Sequence, residues 1–144
     1  MKRIKRAGVL VALVCGTWSP GIGFGEFVPA GTLDQEDIAV TVRIESRRFI
    51  PHVVNLRTGQ QVRLILKNED VELHAFVPVN LLVQTNVQVS GDGAPQFGKD
   101  GFYRVLIPSG GQVELVFTSK EAGSFPFFCD LPGHIMNGTI VVDG

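Results

Sequence analysis

The stretch that decides the fold runs from Phe125 to Val142 and reads FPFFCDLPGHIMNGTIVV. Two apolar, β-prone runs flank a short loop that contains a Pro-Gly pair. Cys129, His134 and Met136 all lie on this loop. A loop that presents a thiol, an imidazole and a thioether together predicts a site for a soft or borderline metal ion.

The types of donor narrow this prediction. A thiolate and two imidazoles in a trigonal arrangement, with a weak axial thioether, form the mononuclear copper site used for electron transfer. The loop supplies Cys129, His134 and Met136, so one imidazole has to come from elsewhere. His74 precedes a strand-like run and is our candidate, whereas His52 directly follows a proline and is expected to face solvent. The same donors also suit zinc, which stays an alternative to copper.

Each residue of the loop also has a simpler structural interpretation. Cysteine is among the residue types most often buried in protein cores, so Cys129 alone would be interpreted as a core residue. His134 alone would be typical of a surface loop, and Met136 alone would be typical of core packing at the start of a strand. Their occurrence together on one short loop favours metal binding.

Residues 1–25 are predicted to be an export signal. Basic residues at the start precede an apolar run from Ala7 to Trp18 and a glycine-rich exit, which is the pattern of a secretory signal. The run is shorter than the roughly 20 residues that a membrane-spanning helix needs, so we expect no membrane span in the mature form. An uncleaved anchor is the alternative. Residues 26–37 are expected to be a flexible segment and residues 38–144 a single domain.

Export changes the meaning of the cysteines and of the charge. If Cys15 leaves with the signal, Cys129 is the one cysteine of the mature chain, and an unpaired thiol in an oxidising compartment suggests intermolecular pairing, reactivity or metal ligation. The neighbouring histidine and methionine favour ligation.

The signal contains four of the 13 Lys and Arg residues and none of the 14 Asp and Glu residues. The mature chain is therefore acidic, which argues against a nucleic-acid partner.

Periodicity predicts strands through the rest of the chain. Alternating or β-branched runs between turn signals indicate strands at 38–45, 53–56, 62–67, 73–79, 104–107, 112–118, 125–129 and 139–142. Residues 80–103 show a less regular pattern. We expect a strand at 83–89 and a loop at 90–101, where Gly, Pro, Ser and Asp are frequent. Short strands without a helical period predict an all-β fold, an antiparallel Greek-key β-sandwich or barrel that follows the signal segment.

The motif FFCDLPGH followed by MNGTIVV is similar to the C-terminal copper loop of the cupredoxins, the plastocyanin and azurin group of small blue copper proteins. Upstream, the segments 49–51, 58–64 and 68–76 resemble the family's approach to its first histidine. The resemblance covers roughly residues 38–142. It implies a cupredoxin-like sandwich of about eight strands with one mononuclear copper ion at one end, whose ligands would be His74, Cys129, His134 and Met136.

Two positions depart from the family pattern. Only Ile135 separates His134 from Met136, whereas family members usually leave a longer gap, so Glu72 and water are alternative axial donors. An oxygen donor or an open axial position would lower the reduction potential. Ala75 stands where several members have an asparagine whose surroundings steady the cysteine loop.

The resemblance implies an exported, type 1-like copper protein that transfers single electrons between redox protein partners. We expect a periplasmic or otherwise exported monomer that is not an enzyme and has no catalytic residues, with the exposed edge of His134 in an apolar patch. A periplasmic copper carrier or sensor and an open copper site for a small ligand are the alternatives. A carrier is expected to be rich in methionine or histidine, whereas this chain has two methionines, one of them Met1.

Overall fold

The computed structural model of the chain describes residues 37–144. They form eleven strands: β1 Ile38–Ile44, β2 Phe49–Ile50, β3 Val53–Arg57, β4 Gln61–Asn68, β5 His74–Pro78, β6 Gln88–Gly91, β7 Ala94–Gly98, β8 Gly101–Ile107, β9 Gln112–Thr118, β10 Gly123–Phe128 and β11 Asn137–Asp143. Within this range, no helix is long and apolar enough to cross a membrane. The predicted signal and residues 26–36 of the predicted flexible segment lie outside the described residues.

The strands form two sheets, which confirms the predicted all-β fold. One sheet has the order β2-β1-β4-β9-β6, and the other has the order β3-β11-β10-β5-β8-β7. Both sheets are mixed, because β1 pairs with β4 in parallel and β3 pairs with β11 in parallel. The predicted sandwich is therefore present, although these two strand pairings are parallel where antiparallel pairing was expected. Parallel neighbours need a crossover connection, and the chain makes one by placing β3 in the opposite sheet between β1 and β4.

Period-two alternation decides which side of each strand is buried. In β4, Val62, Leu64 and Leu66 are buried, while the residues between them are exposed or half-buried. β9 alternates in the same way and pairs with β4 across the middle of its sheet. The other sheet contributes an aromatic cluster, in which the rings of Phe76 and Phe127 lie 5.2 Å apart. The two inner faces together form the apolar core that holds the sandwich closed.

The segment expected to be a strand at 83–89 and a loop at 90–101 differs from this prediction. Val83 forms only an isolated bridge to Gly101, and the strand begins later, at the start of β6. The expected loop contains β7, an edge strand whose five residues are all exposed. A strand with both faces exposed has no alternation to detect, and β7 pairs with β8 on one side only.

Strand pairing places the cysteine loop at one end of the sandwich. Phe128 ends β10 and pairs with Asn137 at the start of β11, so residues 129–136 form the connection between these two strands. His74 begins β5 and pairs with Ile107 at the end of β8. The loop and the first residue of β5 therefore meet at the same end of this sheet.

A substitution at Gly138 tests the close packing beneath the cysteine loop. A Cβ atom at this position would overlap the Phe127 ring and lie 2.6 Å from the carbonyl oxygen of His52. We expect Gly138→Ala to destabilise the metal-free protein by about 1–3 kcal/mol, because the packed ring has to move. Gly98→Ala is the matched control, since nothing lies within 4 Å of its added Cβ. Urea unfolding measures both variants, and equal midpoints would contradict this packing.

Candidate metal centre

The cysteine loop is closed by its own backbone. The N–H of Cys129 donates to the carbonyl oxygen of Met136 at 3.1 Å, and the N–H of His134 donates to the carbonyl oxygen of Leu131 at 3.1 Å. Gly133 has a φ of 79°, which a side chain would disfavour, so the glycine allows the turn just before the histidine. This local geometry directs the His134 ring back toward the end of β10.

His74 reaches the same place through strand pairing. β5 lies beside β10, with Val77 opposite Phe128 in an antiparallel register. This register brings the start of β5 to the end of β10, where the backbone N–H of Ala75 donates to Sγ of Cys129 at 3.3 Å. His74 is completely buried, and Cys129 is 3 % exposed. Both donors are therefore shielded from water in the sandwich itself.

The structure brings three of the four predicted ligands together. Nδ1 of His74 lies 3.1 Å from Nδ1 of His134, and Sγ of Cys129 lies 3.4 Å from Nδ1 of His134. One ligand atom from each residue lies within 4.8 Å of the other two. The His134 side chain is 9 % exposed, so only its edge reaches the surface.

This donor set fits one metal ion. Nitrogen and sulfur ligands at about 2.0–2.3 Å from a shared ion lie roughly 3–4 Å apart from one another. The two separations from Nδ1 of His134, 3.1 Å to His74 and 3.4 Å to Cys129, agree with this range. A thiolate with two imidazoles is the set expected for mononuclear copper of the electron-transfer type. A β-sandwich that holds this set at one end is the arrangement expected of a small mononuclear copper protein.

The fourth predicted ligand, Met136, is buried on the same loop. It is 4 % exposed and belongs to the same apolar core as Cys129. Its carbonyl oxygen accepts the N–H of Cys129 and so helps to close the loop. His52 is exposed and lies outside the cluster, while its carbonyl oxygen accepts the N–H of Thr139 at 2.7 Å. The structure therefore brings His74, and not His52, to Cys129 and His134.

The outer nitrogens of both histidine rings face carboxylates. Nε2 of His74 lies 2.9 Å from Oδ2 of Asp70, and Nε2 of His134 lies 3.6 Å from Oε2 of Glu72. The sequence pattern indicates Glu72 only as an alternative axial donor and does not indicate Asp70. The spacing of Asp70, Glu72 and His74 in the sequence, alternate residues before a strand, was the one signal available.

Both carboxyl groups are held in the charged form. Partial burial raises the pKa of Asp70, but hydrogen bonds from the backbone N–H groups of Arg47 and Ser46 and from His74 together hold this pKa below its usual range. The hydrogen bonds and positive charge of Arg47 hold the pKa of Glu72 below its usual range as well. Two negative charges therefore lie behind the two imidazoles at neutral pH.

A buried asparagine anchors the loop that carries these carboxylates. The side-chain amide of Asn68 donates to the carbonyl oxygens of Glu72, Ile107 and Pro108 at 2.8 to 3.0 Å, and its oxygen accepts the N–H of Asp70 at 3.0 Å. Asn68 is 2 % exposed. The asparagine that is missing at position 75 is thus not the only way to support this end of the fold, because Asn68 braces it from the end of β4.

A second polar contact fixes the other side of the cysteine loop. Nη1 of Arg104, on β8, lies 2.5 Å from Oδ2 of Asp130, the residue that follows Cys129. The side chains of both residues are mostly buried, at 23 % and 19 % exposed. This ion pair ties the start of the loop to the neighbouring strand, so the position of Sγ is held from the backbone on one side and from a side chain on the other.

Comparison with known proteins agrees with the fold and the donor set. A family model described as a cupredoxin-like domain matches residues 9–142, so the chain belongs to the cupredoxin-like family. Members of this family hold one copper ion, and the cluster of His74, Cys129 and His134 supplies suitable ligands.

Two relatives are named copper-resistant cuproprotein CopI. The protein of Rubrivivax gelatinosus is 30% identical over 105 residues, which cover 69% of this chain and 62% of that protein, less than two thirds of its length. The protein of Pseudomonas aeruginosa is 24% identical over 149 aligned positions, which cover 83% of this chain and 81% of that protein. Among solved structures, auracyanin A, a "blue" copper protein of Chloroflexus aurantiacus, matches 75% of this chain and 100% of its own with a TM-score of 0.56 and 19% identity. That identity supports the likeness in fold alone.

A pair of histidine variants tests the choice of ligands. We expect His74→Ala to abolish the intense thiolate-to-copper absorption of the Cu(II)-loaded protein, because it removes one of three clustered donors. His52→Ala is the control and should leave the band unchanged, since that ring lies outside the cluster. Visible absorption at equal copper loading measures both variants. Loss of the band in His52→Ala, or its persistence in His74→Ala, would contradict the assignment.

Proposed function

We propose that the chain is a mononuclear copper protein that carries single electrons between redox partners. The observation that carries the proposal is the buried cluster of one thiol and two imidazoles at 3.1 and 3.4 Å separations. A bound copper ion would supply the one-electron redox chemistry. The chain's own residues supply its ligands, keep water away from them and leave one edge near the surface.

The support for electron transfer is that the fold itself holds each donor of this cluster in place. Each donor is held by contacts that do not involve a metal: Cys129 by the N–H of Ala75, His74 by Asp70, and His134 by the turn from Leu131. A site whose ligands are already in place changes little between two oxidation states, so little reorganisation opposes the transfer of an electron. Burial of His74 and Cys129 adds to this by excluding water.

The surface around His134 offers a docking area. Ile135, next to this ligand, is 94% exposed, and Val71 and Leu73 on the loop before β5 are also exposed. Leu131, in the same cysteine loop, is half-buried against the core. Apolar side chains beside the one ligand with an accessible edge support our prediction of an apolar patch through which electrons pass.

Copper binding without electron transfer is the second candidate function. Both relatives are named copper-resistant cuproproteins, a name that concerns tolerance of copper and not electron transport. A carrier or sensor has to release its ion, whereas two of the three clustered donors here are buried in the core. The burial favours a resident ion, and we therefore place the carrier second.

We further propose that the protein works after export, as its predicted signal suggests.

A methionine variant tests the axial position. If Met136 is the axial ligand, Met136→Gln should shift the thiolate-to-copper absorption and change the copper hyperfine splitting in the electron paramagnetic resonance spectrum, because an oxygen donor replaces a weak thioether. The potential should fall as well. A strong thiolate band that is identical in both proteins would contradict an axial Met136 and favour the open-site alternative.

An Ile135 variant tests the docking area. We expect Ile135→Asp to slow electron self-exchange between Cu(I) and Cu(II) protein by about tenfold, equivalent to about 1.4 kcal/mol, because two like charges would meet at the contact. Line broadening in nuclear magnetic resonance measures this rate. Val83→Asp is the matched control: Val83 is exposed and bridges Gly101, at the opposite end of β8 from the partner of His74. Equal rates in the two variants would place the contact elsewhere.

A further inference from the structure

One turn of the chain forms hydrogen bonds to both of the carboxylates that lie behind the histidines. Ser46 and Arg47 have φ values of 51° and 55°, in the left-handed region that residues other than glycine rarely adopt. In this conformation their backbone N–H groups point the same way and donate to the two oxygens of Asp70 at 2.7 and 2.9 Å. The Arg47 side chain holds Glu72 through two parallel hydrogen bonds, one from Nε and one from Nη2. The turn thus binds Asp70 through backbone N–H groups and Glu72 through the side chain of Arg47.

Each of these carboxylates contacts one histidine ring of the donor cluster. Oδ2 of Asp70 lies 2.9 Å from Nε2 of His74, and Oε2 of Glu72 lies 3.6 Å from Nε2 of His134. In both rings, Nδ1 belongs to the cluster and Nε2 faces the carboxylate. A carboxylate on the far nitrogen of a ligating histidine fixes which nitrogen carries the proton, orients the ring and increases its donor strength.

The burial of the two contacts differs in a way that suits these roles. Asp70 is 15% exposed beside a fully buried His74, while Glu72 is 33% exposed and shared with the guanidinium of Arg47. The Asp70 contact is therefore little screened by water, and the Glu72 charge is partly compensated. Both oxidation states of copper are positive, and the higher charge gains more from nearby anions.

We propose that Asp70 and Glu72 are positioning residues that orient the two ligand rings and lower the copper reduction potential, and that the turn at Ser46 and Arg47 holds them there. The proposal rests on the proposed function, because it concerns the same copper site. It concerns the potential and geometry of that site and makes no use of a partner protein.

The test compares reduction potentials of copper-loaded variants at one neutral pH. We expect Glu72→Gln and Asp70→Asn each to raise the potential, and the double variant to raise it further, since each removes an anion that favours Cu(II). A tenfold change in the preference for Cu(II) over Cu(I) corresponds to about 59 mV for a one-electron couple. Glu69→Gln is the matched control, because Glu69 lies on the same loop but pairs with Arg43 at 3.1 Å. Shifts no larger than that of Glu69→Gln would overturn the proposal.

A second readout on the metal-free protein separates positioning from a general effect of charge. Ring ¹⁵N spectra report which nitrogen of His74 is protonated, and we expect the Nε2 proton in the wild type to be lost or exchange-broadened in Asp70→Asn. Identical ring spectra in the two proteins would overturn the positioning role. If Asp70→Asn does not fold, the more exposed Glu72→Gln gives the same test for His134. A wild-type protein without a thiolate-to-copper band would instead refute the proposed function, so the two failures are distinguishable.

Discussion

The antiparallel pairing of β5 with β10 is the constraint on which the metal centre depends. It places the first residues of one strand beside the last residues of the other, so that the backbone N–H of Ala75 reaches Sγ of Cys129. That hydrogen bond steadies the sulfur without requiring a particular side chain at position 75. His74 and Cys129, 55 positions apart in the chain, become neighbours only because these strands are adjacent.

Hydrogen bonds and an ion pair stabilise the segments around this strand pairing. Asn68 braces the loop before β5 from the end of β4, Arg104 holds Asp130 from β8, and the Ser46–Arg47 turn grips two carboxylates. These contacts come from strands of both sheets, so the end of the sandwich works as one unit. An ion at this end would find ligands whose positions are set by the fold, because the core beneath them is closely packed.

The parts predicted from sequence are those with a local signal. Alternation along β4 and β9 identified buried strands, and the spacing of Cys129, His134 and Met136 identified the loop. β7 was missed because a strand exposed on both faces has no alternation. The contact of Asp70 with His74 was missed because acidic residues in a loop are usually solvated. Parallel pairing of β1 with β4 was also beyond reach, since it depends on the path of the chain between the sheets.

The sequence by itself determined the chemistry of this protein: one thiol, an imidazole and a thioether on a tight Pro-Gly loop, between two apolar, β-prone runs. Residue type and spacing carry that information because both act over a few neighbouring positions. Only the tertiary structure decided which carboxylates lie behind the two histidine rings and how deeply His74 and Cys129 are buried. Those choices depend on strand order and register, which arise from the packing of the whole core and have no local trace in the chain.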